Sequence, residues 1–380
     1  MVKFIITILI FLSFGASAQD LFKFSTVDSL SYQYYLKGDW TKLISLGEKA
    51  IDHNIDYKRL RQRIGYSYFK TGDYFASEKN YEKALAFDQY DTDTQTMLYY
   101  CGINTGDEAY ARFYADKLPA DLKKSLIIEK FKPVDAIDFE YNYKANNSNT
   151  RSDPTYIRAG LSTQLGYRLK LYQSVSNYQQ KIGTGLTKQP EYFALLSWTA
   201  TPKIGLDVAY HFMNTKNAGV TYPGNLAFAS LSVRQDRFSF GINASALNDP
   251  TDNYMQFGGL AGVTLPGKYS INLKSSLNGM VSSTNSRIIF SQVVGAHIAK
   301  NLWAEGNVTL GNLKNYNDHS ALYVYNSIDP TTFRSGLTLF WQLDKKLTIF
   351  GNYTYEKKQI EITNTNYKQN SFSGGIIWKL

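Results

Sequence analysis

The side chains whose types and spacing could do chemistry are three histidines, His211, His297 and His319, the last lying between Asp318 and Ser320. Carboxylate, imidazole and hydroxyl are the parts of a nucleophilic hydrolase, in which the base must reach the hydroxyl and be oriented by the acid. The spacing does not favour it: no local pattern pairs a histidine with a serine on one face of an element. Metal chemistry has no better footing, because H-x-x-H, C-x-x-C and calcium-loop patterns are missing. "GTG" at 183–185 reads as a turn, not as a phosphate loop. Cys101 is the single cysteine, and its helical setting, "MLYYCG", lacks the base or cation that activates a thiol. The expectation is a protein without catalytic residues, cofactor or metal.

A second charged set has a clearer logic. Glu140, Arg158, Asp207, Arg287, His297, Glu305 and Arg334 fall on the polar parity of alternating stretches. In "AIDFEYNYK", Ile137, Phe139, Tyr141 and Tyr143 alternate with Asp138, Glu140, Asn142 and Lys144. A period of two marks a strand with one apolar and one polar face. The same rhythm runs through "TYIRAGLSTQLG", "IGLDVAYHF", "LWAEGNVTL" and "LTIFGNYTYE" to "SFSGGIIWKL", where Phe372, Ile376, Trp378 and Leu380 share a face. Short turns such as "GYR", "TPK", "LPGK" and "AKN" alternate with longer polar stretches such as "NNSNTRSDP" and "KIGTGLTKQP". Segments of about ten residues with short and long connections in turn predict an antiparallel transmembrane β-barrel of about fourteen strands over residues 136–380. Arms at 169–180 and 191–200 flank "KIGTGLTKQP", the last strand spans 371–380, and "HSALYVYNS" is expected as a hairpin within a surface loop. The charged set would then line the lumen, bracing it or forming a polar conduit.

Residues 19–131 carry a different period. "KGDW", "TGDY" and "TGDE" place Gly38, Gly72 and Gly106 every 34 residues. That is the tetratricopeptide (TPR) period, a helix pair per unit, tiling as 24–57, 58–91 and 92–125. Trp40, Gly65, Tyr68, Tyr74, Tyr81 and Ala84 occupy the small and aromatic positions of the pattern. Ahead of it, Lys3, an apolar stretch from Phe4 to Phe14 and Ala16-Ser17-Ala18 predict a cleaved signal peptide over residues 1–18. The net charge is +9, but the basic residues are scattered, so lipid head groups or a polyanion suit it better than nucleic acid.

A cleaved signal, a short TPR array and a C-terminal barrel resemble YaiO-type outer-membrane barrel proteins, in the form found in Bacteroidetes. More loosely, the order of parts resembles the larger exporters of cellulose and poly-N-acetylglucosamine, which have many more repeats and a larger barrel. The resemblance implies an outer-membrane conduit or accessory for surface polysaccharide, with the repeats in the periplasm and the long loops outside the cell. Implied partners are a periplasmic or inner-membrane protein on the TPR surface, outer-membrane lipid, the barrel assembly machinery and a polysaccharide. A non-conducting scaffold that anchors the repeats is the alternative. The "DHS" run resembles barrel-built lipid A deacylases enough to keep a lipid-modifying enzyme as a third reading.

Overall fold

The computed structural model describes residues 22–380 apart from 218, 251, 284, 327, 361 and 362. The expected signal peptide at 1–18 lies outside the described residues. The chain divides into two compact units, one ending at Ile128 and one beginning at Glu129.

The first unit is helical: α1 (Phe24–Lys37), α2 (Trp40–Asp52), α3 (Lys58–Thr71), α4 (Tyr74–Phe87), α5 (Thr92–Thr105), α6 (Glu108–Lys117) and a short α7 (Ala120–Ser125). The 34-residue period fixes where the chain turns. Helices α1, α3 and α5 each end at a glycine in the left-handed region, with φ of 71° at Gly38, 84° at Gly72 and 74° at Gly106. Side chains rarely adopt that conformation, so glycine is the residue that ends these helices without strain. An aspartate follows, and Asp73 and Asp107 cap the next helix by accepting from the N–H of Ala76 and Tyr110. Close packing explains the small positions. A Cβ on Gly65 would stand 2.9 Å from the Tyr81 ring, and Ala84 is fully buried. Val27, Leu43, Ala50, Leu60 and Ile64 form one core; Tyr81, Leu98, Cys101, Tyr110 and Tyr114 form another. Each fully buried Leu or Ile contributes roughly 1.5–3 kcal/mol. Trp40 packs on the rings of Tyr35 and Tyr66, Tyr74 meets Phe69 edge-on, and the Tyr68 hydroxyl donates to Glu48.

The second unit is a closed antiparallel barrel of fourteen strands. They are β1 (Lys132–Asn146), β2 (Thr155–Gly166), β3 (Leu169–Ile182), β4 (Gly185–Thr201), β5 (Ile204–Asn217), β6 (Val220–Gln235) and β7 (Phe238–Asp249). Then come β8 (Asp252–Leu265), β9 (Ile271–Ser282), β10 (Ser286–Ala299), β11 (Leu302–Leu310), β14 (Thr331–Gln342), β15 (Leu347–Ile360) and β16 (Thr365–Lys379). The two-residue pieces β12 (Asn317–Asp318) and β13 (Tyr323–Val324) pair only with each other. Ring closure joins β1 to β16 from Ala136↔Lys379 to Asn146↔Gln369. The register of β1 with β2 shifts between Lys132 and Ala136, where Pro133 has no N–H to donate.

Alternation sets the two faces. Ile242, Leu277, Ile288 and Leu337 stand on the outer face, each at least half exposed, while Glu140, Arg158, Gln256 and Thr309 face inward and are buried. Two expectations need correction. Much of the polar stretch read as loop is strand: β3 and β4 run on through "KIGTGLTKQP" to a turn at 183–184, pairing Lys181 with Leu186 and Ile182 with Gly185. The last strand likewise begins at Thr365 instead of residue 371. Polarity had marked these ends as loop, but hairpin arms beyond an apolar belt keep their backbone pairing whatever side chains they carry. The second correction concerns "HSALYVYNS". It contributes a hairpin arm, but the segment lies inside the barrel, not at the surface: Leu313, Tyr316, Asn317, Ala321 and Asp329 are all buried.

Candidate functional site: the lumen and its infolded segment

Between β11 and β14, the described residues of 311–330 turn into the lumen and meet two unlike walls. On one side, β4–β10 each turn one or two apolar residues inward. Phe193, Met213, Leu226, Leu247, Tyr254, Met280 and Ile289 form a core with Leu313, Tyr316 and Ala321 of the segment. On the other side, a polar wall from β14, β16 and β1 meets the segment through Arg334, Tyr367 and Glu140.

Glu140 is the centre of that polar wall. Register places it opposite Arg158, whose Nη2 lies 3.0 Å from Glu140 Oε2 and whose Nη1 lies 2.5 Å from Asp138 Oδ1. Tyr323, from β13, donates its hydroxyl to Glu140 Oε2 at 2.6 Å. The Arg158 guanidinium is 5.9 Å from the Tyr323 ring centroid. A charge pair inside a barrel is held by such multiple bonds, because an unpartnered buried charge is costly. Two strands on, Tyr172 donates to Asp138 at 3.2 Å, and a Cβ on Gly160 would collide with both groups.

Other contacts hold the segment by backbone and side chain. His211 Nδ1 lies 2.7 Å from the carbonyl oxygen of Ala321, which only accepts, so Nδ1 donates. Its Nε2 is 3.3 Å from Glu191 Oε2, a carboxylate that also accepts from Ser176 and Gln189. Gln256 reads both backbone groups of Asn317, donating to its oxygen at 3.1 Å and accepting from its nitrogen at 3.1 Å. Asn326 and Gln189 exchange amide bonds of 2.9 and 3.2 Å. At the far end of the segment Arg151 forks onto Asp329 at 2.7 and 3.0 Å, and Tyr367 adds a third bond at 3.0 Å.

The remaining charged residues read from the sequence are placed singly. Arg334 lies 4.0 Å from Asp318 and under the Tyr325 ring. Arg287 donates to the carbonyl oxygen of Lys314. Asp207 accepts from Ser230 at 3.3 Å. His297 is exposed and stacks edge-on against Trp303, and Glu305 stands inward beside Trp303 on β11. His319 turns to Asp318 at 3.2 Å and to the Tyr323 ring. Among the described residues, no group of three His, Cys, Asp or Glu is disposed to hold a metal.

The tip of the segment is strained. His319, Ser320 and Ala321 have φ of 50°, 55° and 70° in succession. Such conformations cost of order 1 kcal/mol or more each for residues with a Cβ and persist where surroundings over-determine them. Sequence reasoning missed the apolar seat and the residues that clasp the segment. A signal was present: "HFM" and "NLAFAS" carry bulky apolar residues, Met213, Leu226 and Phe228, on the parity that elsewhere is polar.

No family model and no curated protein matches this chain. Solved structures with a similar course include the KdgM porin in complex with disordered oligogalacturonate, at 9% identity over 64% of this chain and 99% of that one, with a TM-score of 0.34. The Pseudomonas putida toluene transporter TodX follows at 6% identity, 65% and 89% coverage and a TM-score of 0.44. A bacterial polysaccharide outer membrane secretin gives 8% identity, 65% and 99% coverage and 0.41. At such scores the likenesses carry no argument about cargo, and the closure of this barrel rests on its own strand pairing.

Proposed function

We propose that this chain is an outer-membrane conduit, or an export accessory, for a surface polysaccharide, with residues 311–330 as its gate. The observation that carries the reading is the two-faced seating of that segment. It rests on one wall through an apolar seat, where His211 and Gln256 also bond its backbone, and meets the other through the Tyr323–Glu140 and Arg334–Asp318 contacts. Polar bonds of that kind exchange with water at little net cost, and the strained tip favours release. Fourteen strands fall between barrels filled by side chains and the wide porins, so an inward fold of one segment decides whether the lumen conducts. In this reading the helical unit is a TPR adaptor of a YaiO-type protein in the periplasm, docking a periplasmic or inner-membrane partner.

The experiment is planar-bilayer recording of the purified full chain. Wild type is expected to open briefly and to low conductance. A variant whose residues 314–326 are replaced by a short Gly-Ser link should conduct steadily at several times that level. A loop-shortened barrel that folds yet stays silent would remove the conduit. The apolar seat favours a second reading, a plugged barrel that anchors the helical unit, and that silent result is what it requires.

A further inference from the structure

Below the infolded segment, the inner wall carries an aromatic row that neither the charged set nor the gate uses. Register pairs His297 on β10 with Trp303 on β11, Trp303 with Phe340 on β14, and Phe340 with Phe350 on β15. The row continues from Phe350 to Gly375 on β16, from Gly375 to Glu140 on β1, and from there to Arg158. Residues directly opposite across strands share a face, and buried Glu140 is bonded to the infolded Tyr323, so the whole row looks into the lumen. It starts near the turn at 300–301 and, because barrel strands tilt, climbs as it crosses them. Its upper end is the Glu140–Arg158–Tyr323 cluster.

The rings lie along the wall instead of filling the lumen. Trp303 covers Gly295, and a Cβ there would collide with the indole; Phe350 covers Gly375 in the same way. His297 meets Trp303 edge-on at 4.9 Å, and the Phe340 and Phe350 centroids are 5.9 Å apart. None of these four side chains is buried. The next inward row is polar: Glu305 opposite Thr338, Thr338 opposite Asn352, Asn352 opposite Ser373, and Ser373 opposite Asn142. Asn352 donates to Thr338 at 2.8 Å and accepts from Thr354 at 2.8 Å.

We propose that this row is a stacking track for a linear saccharide of pyranose rings, leading it to the gate at Glu140 and Arg158. A pyranose has an apolar C–H face and a rim of hydroxyls, and the wall offers the complement of both: ring faces in one row, carboxylate, hydroxyl and amide groups in the next. Aromatic residues recur on consecutive strands, about 4.8 Å apart, close to the length of one sugar ring. An apolar cargo would not need the polar row, and a polyanion would meet Glu305 unfavourably. The inference rests on the conduit reading for its direction but not for the binding itself.

The test uses the full chain in detergent and in bilayers, with chitohexaose and cellohexaose as probes and polyethylene glycol of similar size as a non-stacking control. At least one sugar should bind by calorimetry, shift tryptophan emission and interrupt the current, whereas the glycol should not. Trp303→Phe should keep the affinity within about threefold but lose the emission shift, since a phenyl ring still stacks. The double variant Trp303→Ala/Phe350→Ala should weaken binding at least tenfold with ion conductance retained, heat-modifiable migration confirming that it folds. Should neither sugar bind, or sugar and glycol block alike, or the double variant bind as wild type does, the track is wrong. A conducting barrel that ignores sugar overturns the track and leaves the conduit standing; a silent barrel whose Trp303 emission still responds to sugar does the reverse.

Discussion

Single residues in this chain act mostly through close approach and hydrogen bonding. Asp91 shows it in the helical unit. It caps α5 by accepting from Thr94 N–H at 2.8 Å and pairs with Lys58 at 2.8 Å. Burial pushes its carboxyl up, but the Lys58 ammonium and the Thr94 groups outweigh that and hold it below the usual range. A carboxylate depressed in the folded state contributes stability above its ordinary value, near 4, and the contribution is lost as pH falls further. Asp28, beside Arg63 and Tyr57, follows the same sign. Helical ellipticity should therefore fade on acidification below about pH 4, and Asp91→Ala should cost the unit about 1 kcal/mol while blunting that acid response. Thermal melts followed by circular dichroism read both. A second residue-scale expectation concerns Gly102, where a Cβ would stand 2.7 Å from the backbone nitrogen of Ala111. Gly102→Val should destabilise the α5–α6 packing by 1 kcal/mol or more, in the manner of an overpacked core.

At the scale of elements, the sequence was legible where one period governed a stretch. The 34-residue recurrence located the turns of the helical unit, because only a glycine in the left-handed region ends those helices cheaply. Period two located the strands that carry "AIDFEYNYK" and "LTIFGNYTYE". It did not locate strand ends, since the arms around 183–184 pair through backbone groups common to all residues. Nor did it show the destination of residues 311–330. That depends on which wall offers an apolar seat, and the seat is assembled from β4–β10, each contributing one or two residues that look like noise in their own strand. Phe340 and Phe350 were hidden in the same way, as apolar residues on a polar parity. The clasp on Ala321 makes a prediction at this scale. His211→Leu removes the donor to a buried carbonyl and should loosen the segment by 1–3 kcal/mol, raising open time in bilayer recordings and protease access at Ser320 without changing heat-modifiable migration.

For the whole molecule, the deciding question is what solvates the outer rows. Ile242 and Leu277 are 63% and 56% exposed midway along β7 and β9, an arrangement that water would penalise and hydrocarbon would not. Among the described residues no helix is long and apolar enough to cross a membrane. In a bilayer, Ile242→Arg should lower folding stability by about 2–4 kcal/mol, measurable by urea titration of tryptophan emission in vesicles. The inward Ser245→Ala, at a bond to Asn317, should cost far less. Equal losses at both positions would mean that the outer face is not bathed in lipid.

All but one of the seams in the ring join strands that are neighbours along the chain or are separated only by the infolded segment. The exception is β1 with β16, whose partners Ala136 and Lys379 stand at opposite ends of the sheet's sequence. Hairpins can therefore zip up locally and fast, whereas shutting the circle bears the entropy of a very long loop. That step should come late and limit the rate. Until it happens the growing sheet has two bare margins, each able to recruit a stranger's strand, so the half-made form, rather than the finished ring, is the one open to mispairing.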